Sequence, residues 1–229
     1  MKSIVLTSTQ YRDDSYMLNL FTESAEVVSV SVSVRGRSSK VKRGYLMPLT
    51  LLDVEFRGKE NAKVRYLSDC RVYRVNSDLT LNPMKMLVSQ FLAEMIWRTF
   101  RYGGGDGRVF DFIEKSIIEF DELREGVQDW HLLFLIRMMH FIGIMPDLSD
   151  YSDGCVIDVS EGKAVRYGFG EVLDSEMTGC LVKMMRDVDF RLSGRERSRM
   201  VDFIVRYYQV HLEGFGEAKS LEVLRSLAR

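Results

Sequence analysis

Val27-Val-Ser-Val-Ser-Val-Ser-Val34, followed by Arg35-Gly-Arg-Ser-Ser-Lys-Val-Lys-Arg43, is the stretch whose reading decides the fold. In its first half Val28, Val30, Val32 and Val34 fall on one side, and Ser29, Ser31 and Ser33 on the other. A period of two with β-branched residues on one face predicts a strand lying half-buried in a sheet. The pattern stops at Gly36. The second half reads as a loop holding Arg35, Arg37, Lys40, Lys42 and Arg43 with no carboxylate among them. A strand that ends in a basic loop is a post carrying positive charge, and polyanions are its natural partner; the plainer alternative is a solvated loop that aids solubility.

Around this stretch, residues 1 to about 76 read as all-β. Ile4–Thr7 and Met17–Phe21 are short apolar segments separated by the polar turn Tyr11–Ser15. Leu49–Phe56, a turn at Gly58–Asn61, then Lys63–Tyr66 and Cys70–Val75 complete about five strands. Short strands at this spacing predict a small barrel or sandwich, with a five-stranded OB-type barrel the natural candidate and an SH3-like barrel inseparable from it by periodicity alone. A second basic cluster, Arg57, Lys59, Lys63 and Arg65, flanks the Gly58 turn. Residues 1–80 hold 13 Lys and Arg against 9 Asp and Glu, a net +4, while the rest of the chain carries −5. The near-zero total therefore hides a basic N-terminal part.

The period changes at Asn82-Pro83. Met84, Leu87, Phe91 and Met95 make a helical stripe through Arg101, and Val109–Glu122 and Asp129–Met145 predict two more helices. Asp129 is the expected cap of the third and Pro146 its terminator. Val156–Val159 and Ala164–Tyr167 around Glu161-Gly162 read as a hairpin. Two helices come next, the second opened by Ser193 and Glu196 at capping-box spacing, and Lys219–Arg229 reads as a short last helix. The expected architecture is α+β: an OB-fold barrel over 1–78, then a helical domain over 79–229 with a hairpin insert at about 153–170.

Catalytic and metal chemistry find little support. Tyr102-Gly-Gly-Gly-Asp-Gly107 follows a helix rather than a strand and lacks the Lys-Ser/Thr of a P-loop, so it reads as an interhelical loop. His131 and His140 lie nine residues apart on one predicted helix and so face opposite ways, and His211 sits near a helix end. Carboxylate pairs such as Asp13/Asp14 belong to turns. Cys70, Cys155 and Cys180 include no CxxC pair, which argues against a disulfide framework and suits a reducing cytoplasm. The longest apolar run, Leu132–Met145, is broken by Arg137 and His140 and is shorter than the ~20 residues of a spanning helix. The expectation is a cytoplasmic protein without catalytic residues.

Four stretches in order resemble the RecO family of bacterial recombination mediators. They are Ile4-Val-Leu6 with Tyr11–Ser15 and Leu18–Thr22; Val34-Arg-Gly-Arg37 leading to Gly44-Tyr-Leu-Met-Pro48 and Leu51; Phe141-Ile-Gly-Ile-Met-Pro-Asp-Leu148; and Tyr208–Leu224 with Lys219-Ser-Leu-Glu-Val-Leu224. The resemblance implies an OB-fold N-terminal domain, a helical body and no catalytic residues. It also implies binding of single- and double-stranded DNA, annealing of complementary strands, and help in loading RecA onto strands covered by single-strand-binding protein. The partners it implies are RecR and the acidic C-terminal tail of that binding protein. Many family members carry four cysteines after the Pro-Asp-Leu segment, whereas here only Cys155 and the distant Cys180 stand there. Two thiolates do not make a tetrahedral zinc site, so a structural zinc is expected to be absent and the hairpin to be held by packing. The DNA-contacting residues expected are Arg35, Arg37, Lys40, Lys42, Arg43, Arg57, Lys59, Lys63 and Arg65, with Tyr11, Tyr16, Tyr45 and Tyr66 as candidate stacking surfaces. The rival expectation is an adaptor whose barrel contacts proteins only.

Overall fold

A computed structural model describes residues 1–36, 39–57, 64–187 and 190–227. The chain divides into two compact units, Met1–Leu123 and Arg124–Arg229.

The first unit is built on a closed five-stranded barrel in the order β1-β2-β3-β5-β4. Its strands are β1 (Lys2–Arg12), β2 (Ser15–Thr22), β3 (Val27–Ser33), β4 (Leu51–Arg57) and β5 (Arg65–Arg74). All neighbours are antiparallel except β3 and β5, which run parallel with Val30 beside Arg65 and Ser31 beside Tyr66. This is the OB-fold. Closure removes every sheet edge, and the alternation of β3 explains how: Val28, Val30 and Val32 point inward to meet Val5, Leu18, Leu20, Leu52 and Val54, while its serines point out.

The barrel continues into α1 (Ser77–Leu81), α2 (Pro83–Phe100) and α3 (Gly107–Glu122). Asn82 caps α2, accepting from the backbone N–H groups of Met84 at 3.0 Å and Lys85 at 3.3 Å, with Pro83 at the first helical position. Asp106 caps α3 in the same way. The stripe on these helices meets the barrel through Phe21, whose ring centroid lies 4.8 Å from that of Phe100 and 6.0 Å from that of Phe110. The glycine run 103–107 is indeed an interhelical loop, and Gly105 N–H donates to Ala25 O at 3.1 Å.

The second unit holds α4 (Val127–Phe141), a small sheet of β6 (Val156–Asp158), β7 (Lys163–Val165) and β8 (Val172–Leu173), then α5 (Ser175–Arg186), α6 (Gly194–His211) and α7 (Ser220–Leu227). The capping box of α6 is present, Ser193 accepting from Glu196 N–H at 3.3 Å and the Glu196 carboxylate from Ser193 N–H at 2.7 Å.

The structure corrects several expectations. β5 is one strand through Leu67–Asp69, in place of the two segments expected; the turn Gly58–Asn61 lies outside the described residues. Leu49 precedes β4 with a positive φ of 62°, outside the strand alternation. Helix α4 begins after Gly126 in the left-handed region, and Asp129 sits inside its first turn, buried against Arg197 at 2.7 Å. It ends at Phe141, where Gly143 at φ 74° turns the chain before Pro146 is reached. The hairpin gains a third strand, β8, paired to β6. The expected 78/79 boundary is a separate matter: strands give way to helices close to it, and the compact units Met1–Leu123 and Arg124–Arg229 place α1–α3 with the barrel.

Candidate nucleic-acid interface

The outer faces of β1, β2 and β3 form a polar surface without charge along its middle. Ser29 Oγ donates to Asn19 Oδ1 at 2.6 Å, and Asn19 Nδ2 donates to Thr7 Oγ1 at 2.6 Å, one hydroxyl–amide chain across three strands. Further along β3, Ser31 Oγ is 2.8 Å from Tyr11 Oη, and the same serine is registered beside Tyr66 of β5. Tyr11, reaching from β1 across β2, and Tyr66, on the adjacent β5, thus lie on either side of one serine, and they stay 49% and 61% exposed. Tyr16 and Tyr45 instead pack partly buried against the barrel core, so the candidate stacking set shrinks to two rings.

The basic loop lies against this end of the barrel. Val34 N–H donates to Asp14 O at 2.8 Å, and Ser39 Oγ to Val41 O at 2.9 Å. Val41 is buried in the barrel core, which anchors the loop midway between Lys40 and Lys42. The Lys40 ammonium donates to Ser68 O on β5, and Arg43 Nη2 pairs with Asp14 Oδ1 of the β1–β2 turn at 3.3 Å. The loop is therefore tied down at its described residues, and an acid from another turn partly answers its charge. Arg35 and Lys42 are exposed and make no ion pair among the described residues. Arg57 is exposed at the end of β4, registered beside Tyr66, while Arg65 caps the Phe56 ring with 5.2 Å from guanidinium to centroid. Arg37, Lys59 and Lys63 lie outside the described residues.

Described members of the two basic clusters, far apart in sequence, come to one end of the barrel. The short parallel pairing of β3 with β5 sets Tyr66, Arg57 and Arg65 beside the exit of β3, where Arg35 begins the loop. The cations and both exposed tyrosines are visible in the sequence; the position of Ser31 beside Tyr11 and Tyr66 and the pairing of Asp14 with Arg43 are not. The serine alternation signals the outward face of Ser31 and no more. Cys70 is a core residue whose thiol burial pushes up to about 11, so it is not a nucleophile at neutral pH.

No metal-binding group of three or more His, Cys, Asp or Glu occurs among the described residues. Cys155 Sγ lies 3.5 Å from Ser152 Oγ, which with the Ser152 backbone holds its thiol below the ordinary range, and Cys180 Sγ lies 3.7 Å from a Glu196 carboxylate oxygen. Each thiol has a partner of its own. Among the described residues no helix is long and apolar enough to cross a membrane.

Comparison with known proteins agrees with the barrel. Residues 1–75 match the family model described as Recombination protein O N terminal. A protein of Phocaeicola vulgatus named DNA repair protein RecO is 31% identical, over 98% of this chain and 96% of its own length. Proteins of the same name from Azobacteroides pseudotrichonymphae and Bacteroides fragilis are each 28% identical, over 99% and 98% of this chain and 97% and 96% of their own lengths. The barrel order, the four ordered stretches and these near-full-length matches lead to one conclusion: the chain belongs to the RecO family.

Proposed function

We propose that the protein is a DNA-binding mediator of recombinational repair that holds single strands on the outer face of its barrel. Its relatives are named DNA repair proteins, which supports the coarse reading. The observation that carries the finer one is the pair of exposed rings, Tyr11 hydrogen-bonded to Ser31 and Tyr66 paired beside that serine, with Arg57 next to Tyr66 and Lys40 tied to the same strand. OB barrels bind oligonucleotides on the face of their second and third strands and the adjoining loops, with aromatic rings under bases and cations on phosphates. A surface with uncharged hydroxyls in the middle and cations at the rim reads no sequence, which suits a protein acting on any repair intermediate. The same charge lowers the repulsion between two complementary strands and so favours annealing. On this reading the chain works without turnover or cofactor. RecR and the acidic tail of single-strand-binding protein are its protein partners, and RecA loading is its indirect outcome.

The tethers of Lys40 to Ser68 and of Arg43 to Asp14 favour the rival, an adaptor whose barrel touches only proteins. The two separate on the exposed rings. Replacing Tyr11 and Tyr66 together by Ala should weaken binding of a labelled oligo(dT) by about 10-fold or more while leaving the fold intact, since stacking contributes ~1–3 kcal/mol per base. Wild-type protein that leaves oligo(dT) free at 0.1 M salt would establish the adaptor instead.

A further inference from the structure

Among the described residues, the most exposed large hydrophobic side chains lie far from the barrel in sequence, in the turn joining β7 to β8. Tyr167 and Phe169 are 85% and 90% exposed, and neither makes a ring contact among the described residues. Both rings stand in solvent. The loop beneath them is nevertheless firmly built. The buried Asp158 carboxylate accepts from Phe169 N–H at 3.3 Å on one oxygen, and from Ser160 N–H, Ser160 Oγ and Glu161 N–H on the other. One side chain thus fastens both turns of the small sheet. Between the two rings, Gly168 packs so closely that a Cβ there would collide with Val172 Cγ1. The backbone is held, and the rings are held outward by it.

The charges around the rings decide the partner. Lys163 pairs with Glu161 at 3.2 Å and Arg206 with Glu171 at 2.7 Å, while the Asp158 carboxylate is answered by the N–H and hydroxyl donors of the two turns. Arg166, next to Tyr167, is exposed and makes no ion pair among the described residues. Two bare rings at i and i+2 with one cation beside them match unpaired nucleobases, which stack on aromatic faces while arginine meets the phosphate. We infer that Arg166, Tyr167 and Phe169 form a second contact site for single-stranded nucleic acid, in the unit that does not contain the barrel. The inference rests on the proposed nucleic-acid function but on none of the barrel residues. A chain with a site in each unit can engage two strands, which is what annealing requires.

The test compares full-length wild type with the Tyr167→Ala/Phe169→Ala variant on two probes of equal length: oligo(dT), and an abasic oligonucleotide that keeps the phosphates without bases. The variant is expected to bind oligo(dT) about 10-fold more weakly with an unchanged salt slope, and to bind the abasic probe as wild type does. Arg166→Ala should lower the magnitude of the salt slope by about 0.7 on both probes. Equal affinity of variant and wild type for oligo(dT) overturns the inference while leaving the barrel reading standing, as does an equal loss on both probes. A fall in molecular mass of the variant with oligo(dT) binding unchanged would make the loop a contact between copies of the chain. Wild type that binds neither probe removes the barrel reading and this one together.

Discussion

Lys85 is wholly buried in the first unit, and its ammonium has a partner for each proton: Asp78 Oδ2 at 2.6 Å, Leu123 O at 2.7 Å and Asp121 O at 2.9 Å. The same group lies 5.5 Å from the centre of the Phe120 ring. Asp121 in turn accepts from Asp78 N–H at 2.9 Å and Leu79 N–H at 3.0 Å, so one network joins the start of α1, the first turns of α2 and the end of α3. Lys85→Met keeps the stem volume and removes three donors. It leaves two carbonyls unsatisfied, one of them fully buried, at ~1–3 kcal/mol each. Asp78 is partly exposed and can rehydrate, so its loss is small. The total expected is therefore about 2–6 kcal/mol, set by the two stranded carbonyls. The assay is urea unfolding followed by Trp97 fluorescence in a Trp130→Phe background, because Trp97 sits on α2 and reports this unit alone. With a slope of ~2 kcal/mol/M the midpoint should fall by about 2 M. Adding Asp78→Asn to Lys85→Met should cost little more. A midpoint shift under about 0.5 M would refute the view that this lysine holds the three helices together.

Burial, reinforced by the Arg197 guanidinium, pushes His131 down to about 3. Its folded value lies below the unfolded one of about 6.5, so the unfolded chain binds the extra proton and stability is lost as pH falls from 6.5 toward 3. At pH 5 the loss is about 2 kcal/mol, and His131→Leu should flatten the urea midpoint of the second unit against pH over this window; an unchanged slope would place the effect elsewhere. Gly162 has φ 65° and a Cβ there would lie 2.7 Å from Tyr207 Oη, whereas Gly143 has φ 74° and open space. Gly162→Ala should therefore cost ~2–3 kcal/mol and Gly143→Ala ~1 kcal/mol; equal costs would show that backbone strain alone governs both. Arg197→Ala strands the Asp129 carboxylate in the core of the second unit and should cost ~3–5 kcal/mol by thermal unfolding, with Asp129→Asn/Arg197→Ala recovering part of it.

The barrel was legible because its information is local. Alternating valines and serines state a strand with one wet face, and Asn82-Pro83 and the Ser193/Glu196 pair state where helices begin. What escaped reading depends on partners remote in the chain. Asp129 has the residue type of a helix cap, yet its carboxylate answers Arg197 of α6, and the helix starts earlier. β8 has two residues and no periodicity to read; it exists because β6 presents a free edge to it. At the candidate interface the cations could be counted from composition, but the β3–β5 pairing that assembles them is non-local. Nothing in the sequence separates the exposed Tyr11 and Tyr66 from Tyr16 and Tyr45, which face the core. Asp14 as the counter-ion of Arg43 escaped for the same reason.

The central claim is that the loop after β3 neutralises DNA phosphates. It is tested most directly by the affinity of wild type and of the variant with Arg35, Arg37, Lys40, Lys42 and Arg43 all replaced by Ala for fluorescent oligo(dT) across a salt series. Five phosphates engaged by the loop contribute about −3.5 to the wild-type slope of log affinity on log salt, the share the variant should lose. The variant should show a much flatter line, with strand annealing lost in parallel. An unchanged slope in the variant, or wild type that does not bind, would contradict the assignment of DNA binding to this face of the barrel.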